Sequence, residues 1–174
     1  RSPRDNITNA ELISALVSDR QRYVLEKPNI RQPDAIVISG DIVQGVVPET
    51  ADAEASLAEQ YATALAFVEE LTVRFVDGDR SRVILVPGNH DINWAMSKQA
   101  MNVVQKADFP KDLRTEIFRP ESLYRWDWKT CELFVIADVD LYGQRMAAFW
   151  NFFDAFYAKA PRLLRVSRGQ PSNL

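Results

Sequence analysis

Two rhythms of apolar and polar positions run along this chain, and the switches between them mark its elements. Ala35-Ile36-Val37-Ile38 and Val83-Ile84-Leu85-Val86 are short continuous apolar runs rich in β-branched residues. Runs of that kind, bounded by turn residues, read as buried strands at about 35–39 and 82–86. Between them Leu57, Tyr61, Leu65, Val68, Leu71 and Phe75 recur at helical spacing. Thr50 or Asp52 can cap that helix, which runs to about Val76. Asp52, Glu54 and Glu59 suit its amino-terminal half electrostatically. Asp77-Gly78-Asp79 then turns the chain into the second strand.

A strand–helix–strand unit of this kind makes a right-handed crossover between parallel strands. The consequence is functional. Parallel strands bring both carboxyl ends to one edge of the sheet, where open α/β sheets bind ligands. The pattern thus predicts an α/β fold with a mainly parallel sheet flanked by helices.

Outside this unit the chain reads as follows. Thr8-Asn9-Ala10-Glu11 is a capping box opening a first helix, which Lys27-Pro28 ends. Asn93 can cap a helix over about 94–106, and Asp108-Phe109-Pro110 starts a short one to about Phe118. Residues 121–130 read as an aromatic-rich connection, with Tyr124, Trp126 and Trp128. Glu132 to Val139 fits a strand or part of a long loop. Tyr142, Met146, Phe149, Trp150, Phe153, Phe156 and Tyr157 form a helical stripe ending at Pro161, read as core or as a seam. The tail, 162–174, is polar, with Arg162, Arg165 and Arg168 on a solvated terminal helix.

Composition narrows the class. The chain has 174 residues, enough for one domain with its own core. A net charge of −3 gives no global attraction to nucleic acid or to an anionic membrane, and no apolar run reaches the length of a membrane span. A single cysteine, Cys131, excludes an internal disulfide framework and fits a reducing, cytoplasmic setting. The chain opens on Arg1, so it is expected to be part of a longer polypeptide with further domains.

The candidate chemistry sits where the two apolar runs end. The first runs into Ser39-Gly40-Asp41, the second into Pro87-Gly88-Asn89-His90-Asp91. A carboxylate at Asp41 can bridge two divalent ions; the plain alternative is a turn Asp bonding its own backbone. Asn89 offers a neutral carbonyl oxygen suited to a metal that already has anionic ligands. His90 can give a proton to a leaving oxygen or stabilise charge on a phosphoryl group. Asp91 reads as a structural acceptor of turn amides. Asp138-Val139-Asp140 also invites a metal reading, but alternate carboxylates before a helix are more often caps.

The Gly40-Asp41 and Gly88-Asn89-His90-Asp91 blocks resemble the calcineurin-like metallophosphoesterase family. The family pattern has Asp-x-His first, then these two blocks, then further His-bearing segments. Here no Asp-x-His precedes Gly40, and His90 is the only histidine. The resemblance implies the first half of a metallophosphoesterase α/β sandwich, residues 1–161 as a partial domain, with 162–174 a tail or the start of the remainder. It implies two divalent metal ions, Mn, Fe or Zn, with Asp41 as bridging ligand, Asn89 as ligand of the second metal and His90 as the nearby acid. The implied reaction is metal-dependent hydrolysis of a phosphoester substrate, of phosphodiesterase or nucleotidase type, a nucleotide being one candidate. Ile42-Val43-Gln44-Gly45 stands where the protein phosphatase branch carries Asp-Arg-Gly, which argues against that branch and leaves the phosphodiesterase, nucleotidase and nuclease branches open, a nucleic-acid substrate being one the acidic charge does not support. With the outer blocks missing, the 174 residues are expected to hold metal incompletely and to act poorly alone. The alternative is a non-catalytic interaction or regulatory module on the same fold.

Overall fold

The structure is a computed structural model and describes residues 7–158. Helix α1 spans Asn9–Arg22 and opens on the expected capping box: the Glu11 amide donates to Thr8 Oγ1 at 3.2 Å, and the Thr8 amide to Glu11 Oε2 at 2.8 Å. It ends short of Lys27-Pro28, giving way to a 3-10 turn over Tyr23–Leu25.

Strand β1 (Ile36–Ser39), helix α2 (Ala53–Val76) and strand β2 (Val83–Val86) form the expected unit. The strands pair in parallel, from Ile36 opposite Val83 to Ser39 opposite Val86. Asp52 caps α2 through the Ala55 amide. The buried line on α2 is Leu57, Tyr61, Ala64, Val68, Thr72 and Val76. Leu65, Leu71 and Phe75 flank it and are half-buried, because steps of three and four residues from Leu57 pass through the smaller side chains.

Helix α3 (Trp94–Gln99) is capped by Asn93, whose Oδ1 accepts from the Met96 amide at 3.0 Å. It does not reach 106. The chain leaves it at Ala100 and forms strand β3 (Met101–Val103). A 3-10 turn covers Lys106–Asp108, and α4 (Leu113–Phe118) begins at an Asp112 cap rather than at Asp108. The predicted aromatic connection contains strand β4 (Tyr124–Asp127), which pairs antiparallel with β5 (Glu132–Ile136). β3 pairs with the other edge of β5, Met101 opposite Ile136. Paired edges explain why the residues after Gln99 are extended: β5 supplies ladder partners that outweigh helix propensity. The α/β class holds; among the described residues its parallel part is the β1–β2 pair, and the other three strands make an antiparallel sheet.

The aromatic stripe divides at Arg145-Met146 into α5 (Val139–Gln144) and α6 (Ala147–Tyr157). It is core. Phe149, Phe152 and Phe156 pack against α2 and β2 in one cluster with Leu57, Tyr61, Val68 and Leu85. Tyr61 and Phe152 stack with ring centroids 5.3 Å apart. This packing presses one face of the parallel pair onto α2 and α6 and fixes where its carboxyl end emerges. Among the described residues, no helix is long and apolar enough to cross a membrane. The Arg162, Arg165, Arg168 series and the tail from 162 lie outside the described residues.

Candidate active site at the carboxyl edge of the parallel pair

Past the strands, the two chains continue side by side. Val46 and Asn93 form an isolated parallel bridge, so loops 40–46 and 87–93 run together beyond the sheet. The approach is close enough to require glycine. A Cβ on Gly40 would stand 2.7 Å from Gly88 Cα, and one on Gly45 would stand 2.5 Å from the His90 carbonyl oxygen.

Asp41 follows Gly40 with φ 53, a left-handed backbone that Asp adopts more readily than most residues. Its Oδ1 accepts the His90 amide at 3.0 Å, across 49 positions of sequence. Asn89, His90 and Asp91 form a single 3-10 turn. The side chains of Asp41, Asn89 and His90 are all exposed at this edge. The structure therefore brings the three sequence candidates to one place, as the parallel crossover requires. His90 Nδ1 lies 2.7 Å from the Gln44 carbonyl oxygen. A carbonyl only accepts, so Nδ1 carries the hydrogen and Nε2 is left to solvent. Nε2 presents a lone pair when the ring is neutral and a donor when it is protonated.

Asp91 faces the other way and is fully buried. Its Oδ2 accepts the Gly88 amide at 2.7 Å, and its Oδ1 accepts the Tyr61 hydroxyl at 2.9 Å. It is the structural acceptor of the turn. Next to Tyr61 on α2, Gln60 holds the other loop: its Oε1 accepts the Gly45 amide at 3.0 Å and its Nε2 donates to the Gly45 carbonyl at 3.2 Å. Two consecutive residues of one helix thus clamp one loop each. Trp94 Nε1 donates to the Asn89 carbonyl at 3.0 Å and completes the frame. Sequence reasoning missed Gln44, Gln60, Tyr61 and Trp94 as positioning residues. The stripe on α2 placed Tyr61 in the core, but nothing in the pattern gave its hydroxyl a partner. Asp138, by contrast, caps α5 through the Leu141 amide, the plainer of its two readings.

Burial, and then the Asp91 charge and hydrogen bond, push the Tyr61 phenol well above its ordinary value. Folding therefore holds a proton on Tyr61 that the unfolded chain releases near pH 10. Above that pH the unfolded state binds fewer protons, so stability falls as pH rises. Tyr61→Phe is expected to flatten this alkaline loss, measured as urea midpoints between pH 8 and 11. An unchanged slope would show that Tyr61 does not hold the proton.

The calcineurin-like phosphoesterase family model matches residues 10–162. The chain belongs to the calcineurin-like phosphoesterase family. Searches among curated proteins and among solved structures found no match. Calcineurin-like phosphoesterases are in general metal-dependent hydrolases of phosphoesters and bind divalent metals. Among the described residues, no group of three or more His, Cys, Asp or Glu side chains is placed to hold an ion. Asp41 is the one exposed carboxylate of the turn region, with Asn89 and His90 as neutral donors beside it; Asp91 is committed to Gly88 and Tyr61. Hard divalent cations draw on several oxygen ligands, and two ions need more anionic charge than one carboxylate carries.

Proposed function

We propose that this calcineurin-like phosphoesterase is of phosphodiesterase or nucleotidase type, with Asp41 and Asn89 on the metal side and His90 on the leaving-group side. The observation that carries the reading is the Asp41 Oδ1 to His90 amide bond, which ties the two motif loops into one exposed edge. In this reading the metal supplies charge neutralisation when bound, and the chain's own residues supply position. Asp41 keeps one oxygen on the His90 amide and has the other to offer. The Gln44 carbonyl holds His90 Nδ1 and leaves Nε2 open, and in this reading its protonated form hydrogen-bonds a phosphoryl or leaving oxygen. Gln44 and Gly45, in place of the Asp-Arg-Gly extension, support a diester or nucleotide rather than a phosphoprotein as substrate. Mn, Fe and Zn all suit the donor types. The single exposed free cysteine, Cys131, agrees with a cytoplasmic setting.

The incomplete ligand set leads to a graded expectation. The 174 residues alone hydrolyse bis-p-nitrophenyl phosphate slowly with added Mn, and a longer polypeptide carrying flanking sequence does so faster. In that longer protein, His90→Ala and Asp41→Asn are each expected to lower kcat/KM by about 100-fold, within the range for a lost proton-transfer or charge-stabilising group. Full activity in both variants would sink the assignment. A longer protein inert with Mn, Fe and Zn would favour a non-catalytic regulatory module on the same fold, keeping the loops but not the reaction.

A further inference from the structure

Behind the Gly88–Asp91 turn lies a cleft of about 330 Å³, enclosed by α2, α3 and the α5–α6 junction. Tyr61, Asn93, Gln144, Arg145, Asn151 and Phe152 are among the residues that line it. Arg145 is the unusual one. It is only 6 % exposed. Its Nη1 donates to the Tyr142 carbonyl at 2.7 Å, and its guanidinium carbon lies 3.8 Å from the Tyr142 ring centre. Among the described residues, no carboxylate forms an ion pair with it. A guanidinium carries five N–H donors; one goes to the Tyr142 carbonyl, and among the described residues no Arg145 nitrogen is both sealed from solvent and without a partner. Arginine is almost never this buried without a charged partner.

Arg125 sits on the same tyrosine, with its guanidinium carbon 5.3 Å from the ring centre and its Nε donating to the hydroxyl at 3.0 Å. Desolvation presses the Arg145 guanidinium below its ordinary value; Tyr142 works against that shift, and Arg125 adds a smaller lowering. Glu54, the carboxylate on the cleft lining, is itself exposed to solvent.

We propose that this cleft binds a small oxyanion, a phosphate or a carboxylate, received by the Arg145 guanidinium and flanked by the amides of Gln144 and Asn151. A planar fork of donors matches two oxygens of such an anion, and the volume suits a small ligand. The cleft also shares parts with the motif loops. Tyr61 holds Asp91, and the Asn93 amide donates to the Arg145 carbonyl at 2.9 Å. An anion bound there touches the same frame that shapes the Gly88–Asp91 turn. The inference does not depend on hydrolase activity.

The test is an amide NMR titration of the 174-residue chain with inorganic phosphate and, separately, with succinate. Saturable shifts are expected at Asn93, Gln144, Arg145 and Asn151, and the tighter of the two anions names the oxyanion class. Arg145→Gln is expected to weaken binding at least tenfold. Asn151→Trp, which fills the cleft from an exposed position on α6, is expected to do the same and decides the matter should Arg145→Gln fail to fold. His90→Ala and Asp41→Asn are expected to leave binding unchanged, which separates this site from the motif edge. The proposal is overturned if neither anion gives saturable shifts, or if Asn151→Trp binds as the wild type does.

Discussion

Gly40→Ala is expected to cost about 4 kcal/mol of stability, the sum of an overpacked contact and a strained backbone. Its φ of 102 lies where L side chains are strained, and its Cβ would meet Gly88 Cα at 2.7 Å and Gly88 N at 2.8 Å. Both obstacles are backbone, so no side chain can swing aside. The two loops must part or β1 must shift against β2. Gly78→Ala is the control: it too has a positive φ, 78, but nothing lies within 4 Å of its Cβ. That variant should lose only the strain, about 1 kcal/mol. Urea denaturation of both, followed by circular dichroism, separates the two costs. Equal losses would mean that the loops are not in contact at Gly40.

The second large effect is expected at Asp91, where Ala should cost about 3 kcal/mol, because a half-buried amide and a buried hydroxyl each lose a charged acceptor. Asp91 is fully buried, so water cannot step in without opening the turn. Asn at this position keeps the shape but has one acceptor oxygen for two donors, the Gly88 amide and the Tyr61 hydroxyl. Asp91→Asn is therefore expected to lose about half as much, from one orphaned donor. The same urea midpoints read both variants. If Ala and Asn are alike and nearly neutral, Asp91 does not hold the turn.

The parts of this fold legible in the sequence are those set by local pattern. The two β-branched runs became β1 and β2, Asp52 and Asn93 capped the helices they preceded, and the aromatic stripe became core. The parts that were not legible depend on partners distant in sequence. Met101-Asn102-Val103 continues a helical reading until β5 is there to pair with it. Tyr124-Arg125-Trp126-Asp127 does alternate, but the aromatic density hid a strand that β5 again completes. At the candidate site, the motif residues Asp41, Asn89 and His90 were visible as chemistry, and the parallel crossover gave their proximity. Gln60 and the role of the Tyr61 hydroxyl were not visible, because a helix stripe records which residues are buried and says nothing about where a hydroxyl or amide points.

The bond from the His90 amide to Asp41 joins residues that no short peptide contains together. The shape of this edge is therefore a property of the paired strands and cannot be inherited by either motif in isolation. A graft of the Gly-Asn-His-Asp turn onto another scaffold would carry the letters without the geometry, unless a second backbone were brought alongside at glycine distance.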